Sequence, residues 1–333
     1  MRLKTPSFWY RKSIGGFLIS ALLWPLSLLY LLGHTFNQLT KKQYAADIPV
    51  ICVGNLTAGG SGKTPTAIAL MKTALSQDTV TAPCFLSRGY GGALKGPVFV
   101  DPKKQDFQDI GDESLLLVKH APVIVSADRR TGAKMAQKHG KDLIIMDDGL
   151  QNRSLKKTLS LTVIDGQFGF GNHLLLPAGP LRETLSAGFK KSDAFILIGD
   201  DLCNVLPRLP AGKPVLRARL IVPEEWIADT KASYIAFSGI AQPEKFRTTI
   251  HSKNLSLCGW HAFADHYNFT DEDLKKIDDE AVAKNARLLT TEKDAARLPS
   301  DFTFKAPLDI MPVRIEWENE DALYALLAEK LNK

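Results

Sequence analysis

The stretch Ile48-Pro49-Val50-Ile51-Cys52-Val53, followed by Gly54-Asn55-Leu56-Thr57-Ala58-Gly59-Gly60-Ser61-Gly62-Lys63-Thr64, decides how this chain folds. Its first half is a short, β-branched apolar run of the kind that becomes a buried parallel strand. Its second half is rich in glycine, and the residues from Thr66 to Leu75 continue with helical spacing. A glycine-rich loop between a strand and a helix lets backbone N–H groups cradle phosphate oxygens at the helix N-terminus. On that reading Thr57, Ala58, Gly59, Gly60, Ser61, Gly62, Lys63 and Thr64 form a candidate ATP-binding loop. Lys63 would reach the β- and γ-phosphates, and the Thr64 hydroxyl would ligate Mg2+. The general pattern G-x-x-x-x-G-K-[ST] fails at its first position, where Thr57 stands. A glycine-rich turn that binds nothing is the alternative.

Working outward, further strand-like runs lie at Pro122 to Ser126, Leu143 to Met146, Leu159 to Ile164 and Ala194 to Ile198, with helical spacing between several of them. This alternation implies an α/β fold, a P-loop NTPase-like, mostly parallel sheet with helices on both faces. A second alternation begins at Ser233, with strand-like runs at Tyr234 to Ser238, Leu255 to Phe263 and Arg287 to Thr291. The expected organisation is therefore an N-terminal segment over residues 1–40, a core over 41–222, and a smaller α/β domain over 223–333. Leu323, Leu326, Leu327 and Leu331 sit at helical spacing, and place a terminal helix in that smaller domain.

The run Leu143-Ile144-Ile145-Met146-Asp147-Asp148-Gly149-Leu150-Gln151 presents two carboxylates at the end of an apolar strand. That is where a P-loop protein holds the Mg2+ that bridges the β- and γ-phosphates. Capping of the next turn by Asp147 and Asp148 is the structural alternative. Asp112 and Glu113 precede an apolar helix-like stretch, where a helix N-cap is the local reading. His266 reads locally as a surface or core histidine.

Composition leaves the partner open. The net charge of +6 suits an anionic neighbour, whether nucleic acid, acidic lipid or a phosphorylated substrate. Cys52, Cys84, Cys203 and Cys258 are far apart with no C-x-x-C pair, which supports neither a zinc site nor a disulfide framework. From Ile14 to Gly33 no residue is charged, and as a helix this run would reach about 30 Å, the depth of a bilayer core. No small-x-small cleavage site follows it closely, since Tyr30, Leu31 and Leu32 stand there. Arg2, Lys4, Arg11 and Lys12 precede the run, whereas Lys41 and Lys42 follow it. In a single span that bias would keep the N-terminus cytoplasmic and export the globular part, away from ATP. Pro25 offers another arrangement, a broken or kinked helix that dips into or lies along the cytoplasmic leaflet. A buried core helix is the remaining alternative.

Taken in order, the motifs resemble those of the tetraacyldisaccharide 4'-kinases, the lipid A 4'-kinases of Gram-negative bacteria. The resemblance rests on Gly54-Asn55 with Gly59-Gly60-Ser61-Gly62-Lys63-Thr64-Pro65, Ser87-Arg88-Gly89-Tyr90, Gly111-Asp112-Glu113 and Asp128-Arg129-Arg130. It continues through Asp147-Asp148-Gly149-Leu150-Gln151, Leu176-Pro177-Ala178-Gly179-Pro180-Leu181-Arg182-Glu183, Asp265-His266-Tyr267 and Thr290-Thr291-Glu292-Lys293-Asp294-Ala295. The family shares the departure at Thr57.

The resemblance implies transfer of the ATP γ-phosphate to the 4'-hydroxyl of an acylated glucosamine disaccharide 1-phosphate, giving lipid IVA. It implies a monomer on the cytoplasmic face of the inner membrane, in contact with membrane lipid and not with nucleic acid. By the same resemblance Asp112 is the base, with His266 pairing to it, and Asp147 and Glu183 join Thr64 around Mg2+. Arg88, Arg129, Asp148, Gln151 and Arg182 would contact the nucleotide or the headgroup. Ser114 stands where the family commonly has proline, and Leu150 and Asn152 where an aromatic residue and a histidine are common. A membrane-associated ATPase, a GTP-dependent switch and a non-enzymatic anchor are the rival readings. Thr291-Glu292-Lys293-Asp294 places its lysine one position late for a guanine-recognition motif, which argues against the switch.

Overall fold

The structure is a computed structural model that describes residues 6–10, 13–39, 42–76 and 80–331. In chain order the first half runs α1 (Ile14–Leu39), β1 (Val50–Gly54), α2 (Lys63–Leu75), β2 (Pro83–Ser87), β3 (Val98–Phe99), α3 (Phe107–Ile110), α4 (Asp112–Leu117), β4 (Val123–Val125), α5 (Arg129–Lys138), β5 (Leu143–Asp147) and β6 (Leu159–Asp165). The second half continues α6 (Leu185–Lys191), β7 (Ala194–Ile198), β8 (Val215–Ile221), β9 (Ser233–Ser238), α7 (Pro243–Ser252), β10 (Ser256–Ala262), α8 (Asp271–Ala283), β11 (Arg287–Thr291), α9 (Glu292–Ala295), β12 (Leu308–Met311), β13 (Arg314–Trp317) and α10 (Glu320–Leu331).

Two compact units result, one of Pro6–Leu220 together with the chain from Ile315, the other of Ile221–Arg314. The larger is built on a nine-stranded sheet in the order β13-β8-β7-β6-β1-β5-β2-β4-β3. Parallel ladders join β1 to both β5 and β6, and continue outward to β2, β4, β7 and β8. Only the short pair β3–β4 is antiparallel among those ladders. Every residue of β1, β5, β6 and β7 is buried, as strands covered on both faces must be.

Alternation along β1 divides the core. Ile51 and Val53 face Ala67, Leu70 and Met71 of α2, while Val50 and Cys52 lie with Ala133 and Ala136 of α5 on the opposite side. The smaller unit repeats the scheme with a parallel sheet β10-β9-β11-β12. Ile235 and Phe237 of β9 pack on Leu274 and Ile277 of α8, and Tyr234 and Ala236 pack on Phe246 and Ile250 of α7.

Two expectations need correction. The terminal helix does not belong with the smaller domain: Leu323, Leu326 and Leu327 of α10 join Ile315 of β13 in the same core as Ile51, Leu70 and Leu159. Its apolar stripe announces a buried face, and the strand before it, paired at the β8 edge of the large sheet, selects the partner. Pro25, in turn, does not break α1, which is continuous from Ile14 to Leu39. One missing N–H is tolerated where the helix has other support, and here its polar side chains bond to the body of the larger unit.

Helix α1 is not a core helix either. Gly16, Ser20 and Ser27 are buried, with Leu23 and Tyr30 half-buried on the same stripe, whereas Phe17, Leu22, Leu29 and Leu32 are exposed. Its amphipathicity is inverted, with small and polar residues toward protein and apolar ones outward. A helix in water shows the reverse.

Because α10 closes one face of the large sheet, Leu327→Ala should cost about 2–5 kcal/mol of stability, as for other buried leucines. Chemical denaturation of the full chain reads this directly, and the loss should appear in the transition of the unit that carries β1.

Candidate active site

Strand β1 delivers the chain at Gly54 into the loop, and only a glycine fits there, since a Cβ would stand 2.6 Å from the Leu150 Cβ. The loop then turns through Gly59 and Gly62, both left-handed, with φ of 108° and 84°. Gly62 serves as N-cap of α2 with no side-chain cap, so the first amides of the helix have no intrahelical acceptor and face an anion-binding position. Thr57 has no such backbone requirement. It bridges to Leu181, the Ala58 N–H donates to the Pro180 carbonyl at 2.7 Å, and the Arg182 N–H donates to the Leu56 carbonyl at 2.8 Å. The position where a general phosphate loop has glycine is thus used to fasten a second loop, residues 172–183. Asn55 braces the turn, donating to the Thr57 carbonyl at 2.7 Å and to Ser61 Oγ at 2.8 Å.

Register brings the acidic strand end to this loop. Val53 stands beside Asp147 in the β1–β5 ladder, and Thr64 Oγ1 donates to Asp147 Oδ2 at 2.9 Å. Asp147 Oδ1 is buried with no hydrogen-bond partner among the described residues. Burial first, then the nearby Glu113 carboxylate, raises the Asp147 pKa to about 7. A buried hydroxyl–carboxylate pair with one unsatisfied oxygen is a hard-oxygen donor set, and it fits a divalent cation of the Mg2+ type.

Asp148 does different work. Its backbone is left-handed, φ 51°, which turns the side chain away from the strand path. Arg182 Nη1 donates to both of its oxygens at 2.7 and 2.9 Å, and Lys63 Nζ lies 3.8 Å from Oδ2. Burial would raise this carboxyl, but Lys63 and then Arg182 outweigh it and hold the group well below the usual carboxylate range. The pair of cations is thereby fixed beside the phosphate loop.

Gln151 links the pieces, donating to the Asn55 carbonyl at 2.9 Å and to Glu183 Oε1 at 3.1 Å. Glu183 is buried and paired with Lys191 Nζ at 2.5 Å, so its contacts run to Gln151 and Lys191. Arg129 is buried, donates Nη1 to the Ser126 carbonyl at 2.6 Å, and keeps a buried Nε with no partner among the described residues. Burial and the neighbouring Arg88 lower its pKa to about 10. Arg88 itself is exposed.

Asp112 opens α4 and is buried; its Oδ1 accepts from the Glu113 N–H at 2.9 Å. The N-cap position is held by Gly111, left-handed at φ 79°, where a Cβ would stand 2.4 Å from the Tyr90 carbonyl oxygen. His266 lies in the smaller unit with φ 54°. Its Nε2 is 3.3 Å from Lys293 Nζ and 3.9 Å from Asp265 Oδ1, and the His266 backbone N–H donates to the Gly239 carbonyl at 3.0 Å. Sequence reading passed over Lys191 and gave Glu113 no role beyond a helix start. Nothing local marks a lysine at a helix end as the counter-ion of Glu183, and Glu113 gains significance only through its field at Asp147 and Arg182.

A glycine-rich phosphate loop at the end of a central parallel strand, with a hydroxyl–carboxylate pair and two cations beside it, defines a nucleotide-binding protein of the P-loop kinase class. The sequence pattern described as "LpxK: Tetraacyldisaccharide-1-P 4'-kinase" matches residues 19–332. Among its relatives, the tetraacyldisaccharide 4'-kinase of Rhodospirillum rubrum is 43% identical over 98% of this chain and 97% of its own length. That of Paramagnetospirillum magneticum is 41% identical over 97% and 98% respectively. The crystal structure of "apo" form LpxK from Aquifex aeolicus in complex with ATP superposes with a TM-score of 0.72 at 26% identity, covering 94% of this chain and 99% of that one. The chain belongs to the tetraacyldisaccharide-1-P 4'-kinase family.

The titration of Asp147 gives a signed test. An unfolded aspartate titrates near 3.9, whereas the folded group titrates at about 7. The folded state of the metal-free protein therefore binds the extra proton between these values, and this contribution to stability is lost as pH rises through about 7. Asp148, shifted the other way, contributes stability that disappears only below about pH 4, its unfolded value. Denaturation curves from pH 5 to 8 should show stability declining toward neutrality in wild type, and Asp147→Asn should flatten that decline.

Proposed function

We propose that this chain is an ATP-dependent lipid kinase that transfers the γ-phosphate to the 4'-hydroxyl of tetraacyldisaccharide 1-phosphate, giving lipid IVA in lipid A biosynthesis. The observation that carries the reading is the meeting of Thr64, Asp147, Lys63, Asp148 and Arg182 around one phosphate loop. Phosphoryl transfer asks a protein for positioning and charge compensation far more than for covalent chemistry, and these residues supply both. Backbone amides from Gly59 to Thr64 would hold the β- and γ-phosphates, with Lys63 against the γ-phosphate. Thr64 and Asp147, with Glu183, would hold Mg2+, which when bound offsets phosphate charge. Arg182, already locked on Asp148, keeps a second cation oriented without further ordering cost.

Asp112 is the proposed base. Its helix-start position and burial fix the carboxylate, and a sugar hydroxyl needs such a group only as its proton leaves in the transition state. His266 of the smaller unit is the second proposed catalytic residue. Arg88, Arg129 and Gln151 are proposed nucleotide or headgroup contacts, and the buried, half-satisfied Arg129 guanidinium is the strongest of these. The exposed apolar side of α1 suits acyl chains of the cytoplasmic leaflet of a bacterial inner membrane, which is also where the acylated substrate and ATP meet. A monomer is the proposed state.

Purified protein in detergent, given labelled ATP, Mg2+ and the acylated disaccharide 1-phosphate, should move label to the lipid; absence of labelled lipid would defeat the reading. Lys63→Ala should abolish transfer and leave membrane association intact. Asp112→Ala should lower kcat by roughly 10²–10⁴ with little change in ATP affinity, the range for loss of a general base.

A further inference from the structure

The inward stripe of α1 does more than attach the helix. Ser27 Oγ donates to the Leu175 carbonyl at 2.9 Å and lies 3.3 Å from the Ala178 N–H, which donates to it. Three residues on, Tyr30 OH donates to the Arg182 carbonyl at 2.9 Å. Upstream, Trp9 Nε1 donates to the Pro177 carbonyl at 3.1 Å. The acceptors are backbone atoms of one loop, residues 172–183, whose far end carries Arg182 and Glu183. That loop is itself laced to the phosphate loop by the Leu56, Thr57 and Ala58 contacts.

We infer that Ser27 and Tyr30 are positioning residues for phosphoryl transfer: the membrane-facing helix holds the 172–183 loop, and through it the Arg182–Asp148–Lys63 set, in register with the phosphate loop. The inference rests on the kinase reading and extends it to residues outside the nucleotide site. Its physical basis is the environment of these bonds. Apolar side chains cover the outward side of α1, so once the helix is seated in acyl chains little water competes for the Leu175 and Arg182 carbonyls. Hydrogen bonds from Ser and Tyr then do much to hold a helix whose stripe toward the protein is mainly small and polar. Arg182 has its guanidinium fixed by Asp148 and its carbonyl fixed by Tyr30, so both ends of the residue are defined.

The test uses the full chain in mixed micelles, with kcat and KM measured separately for ATP and for the lipid. Tyr30→Phe keeps the ring and removes only the donor, and Ser27→Ala removes a hydroxyl, so neither threatens folding. Tyr30→Phe should lower kcat by roughly two- to tenfold, the worth of one hydrogen bond, and Ser27→Ala, which removes two, by at least as much, with the lipid KM unchanged. Leu22→Ala, on the exposed side, should instead weaken vesicle binding or raise the lipid KM and leave kcat alone. Hydrogen–deuterium exchange needs no turnover and separates this inference from the kinase reading. Ser27→Ala should speed exchange across 172–183, beginning at Ala178, even if the substrate assignment were wrong. Wild-type kcat in both variants, or loss confined to the lipid KM, overturns the inference, as does unchanged exchange; wild-type protein that labels no lipid overturns the kinase reading instead.

Discussion

The placement of β1 beside β5 is the constraint from which the rest of the larger unit follows. Parallel neighbours in this register put Val53 next to Asp147, so the loop after one strand and the carboxylates ending the other must share a few ångströms. The hydrogen bond from Thr64 to Asp147 closes that gap. It also fixes the start of α2, whose apolar face then covers Ile51 and Val53. Moving either strand by one place in the sheet would separate the Asp147 carboxylate from the glycine-rich loop and Thr64.

Burial sets the electrostatics at that junction. Two adjacent aspartates are driven in opposite directions: Asp147 upward by desolvation and Glu113, Asp148 downward by Lys63 and Arg182. One is left with a buried oxygen that has no partner among the described residues, the other is an anion that aligns two cations. A division of labour between neighbouring carboxylates is a general route to distinct chemical roles from one residue type. Away from this centre, α1 turns its apolar side outward and its hydroxyls inward. The proposed seating of this helix in a bilayer leaflet would resolve that inversion.

Much of this was legible in the sequence, and the residues show why the remainder was not. The strand-loop-helix at Val50 to Leu75 and the carboxylates after Leu143 announce themselves by local pattern, and the parallel sheet follows from strand–helix alternation. Thr57 looked like a defect locally; its contact with Leu181 shows a position that needs no positive φ and serves as a joint. The helix at Glu320–Leu331 was legible, but its partner was not, since periodicity states that a face is buried and not against what. Pro25 was overweighted for a related reason: a helix breaker in water is tolerated where tertiary bonds support the helix. Glu113 and Lys191 escaped because their roles depend on charges at Asp147 and Glu183 that are distant in sequence.

The central claim is that the phosphate held at this junction goes to one particular hydroxyl. Proton–phosphorus correlation NMR of the reaction product tests it most directly. A new phosphomonoester signal correlated with the H4' proton of the distal glucosamine, beside the original 1-phosphate, is the expected result. ATP consumed to ADP and inorganic phosphate alone, or a new phosphate correlated with any other sugar proton, would contradict the account.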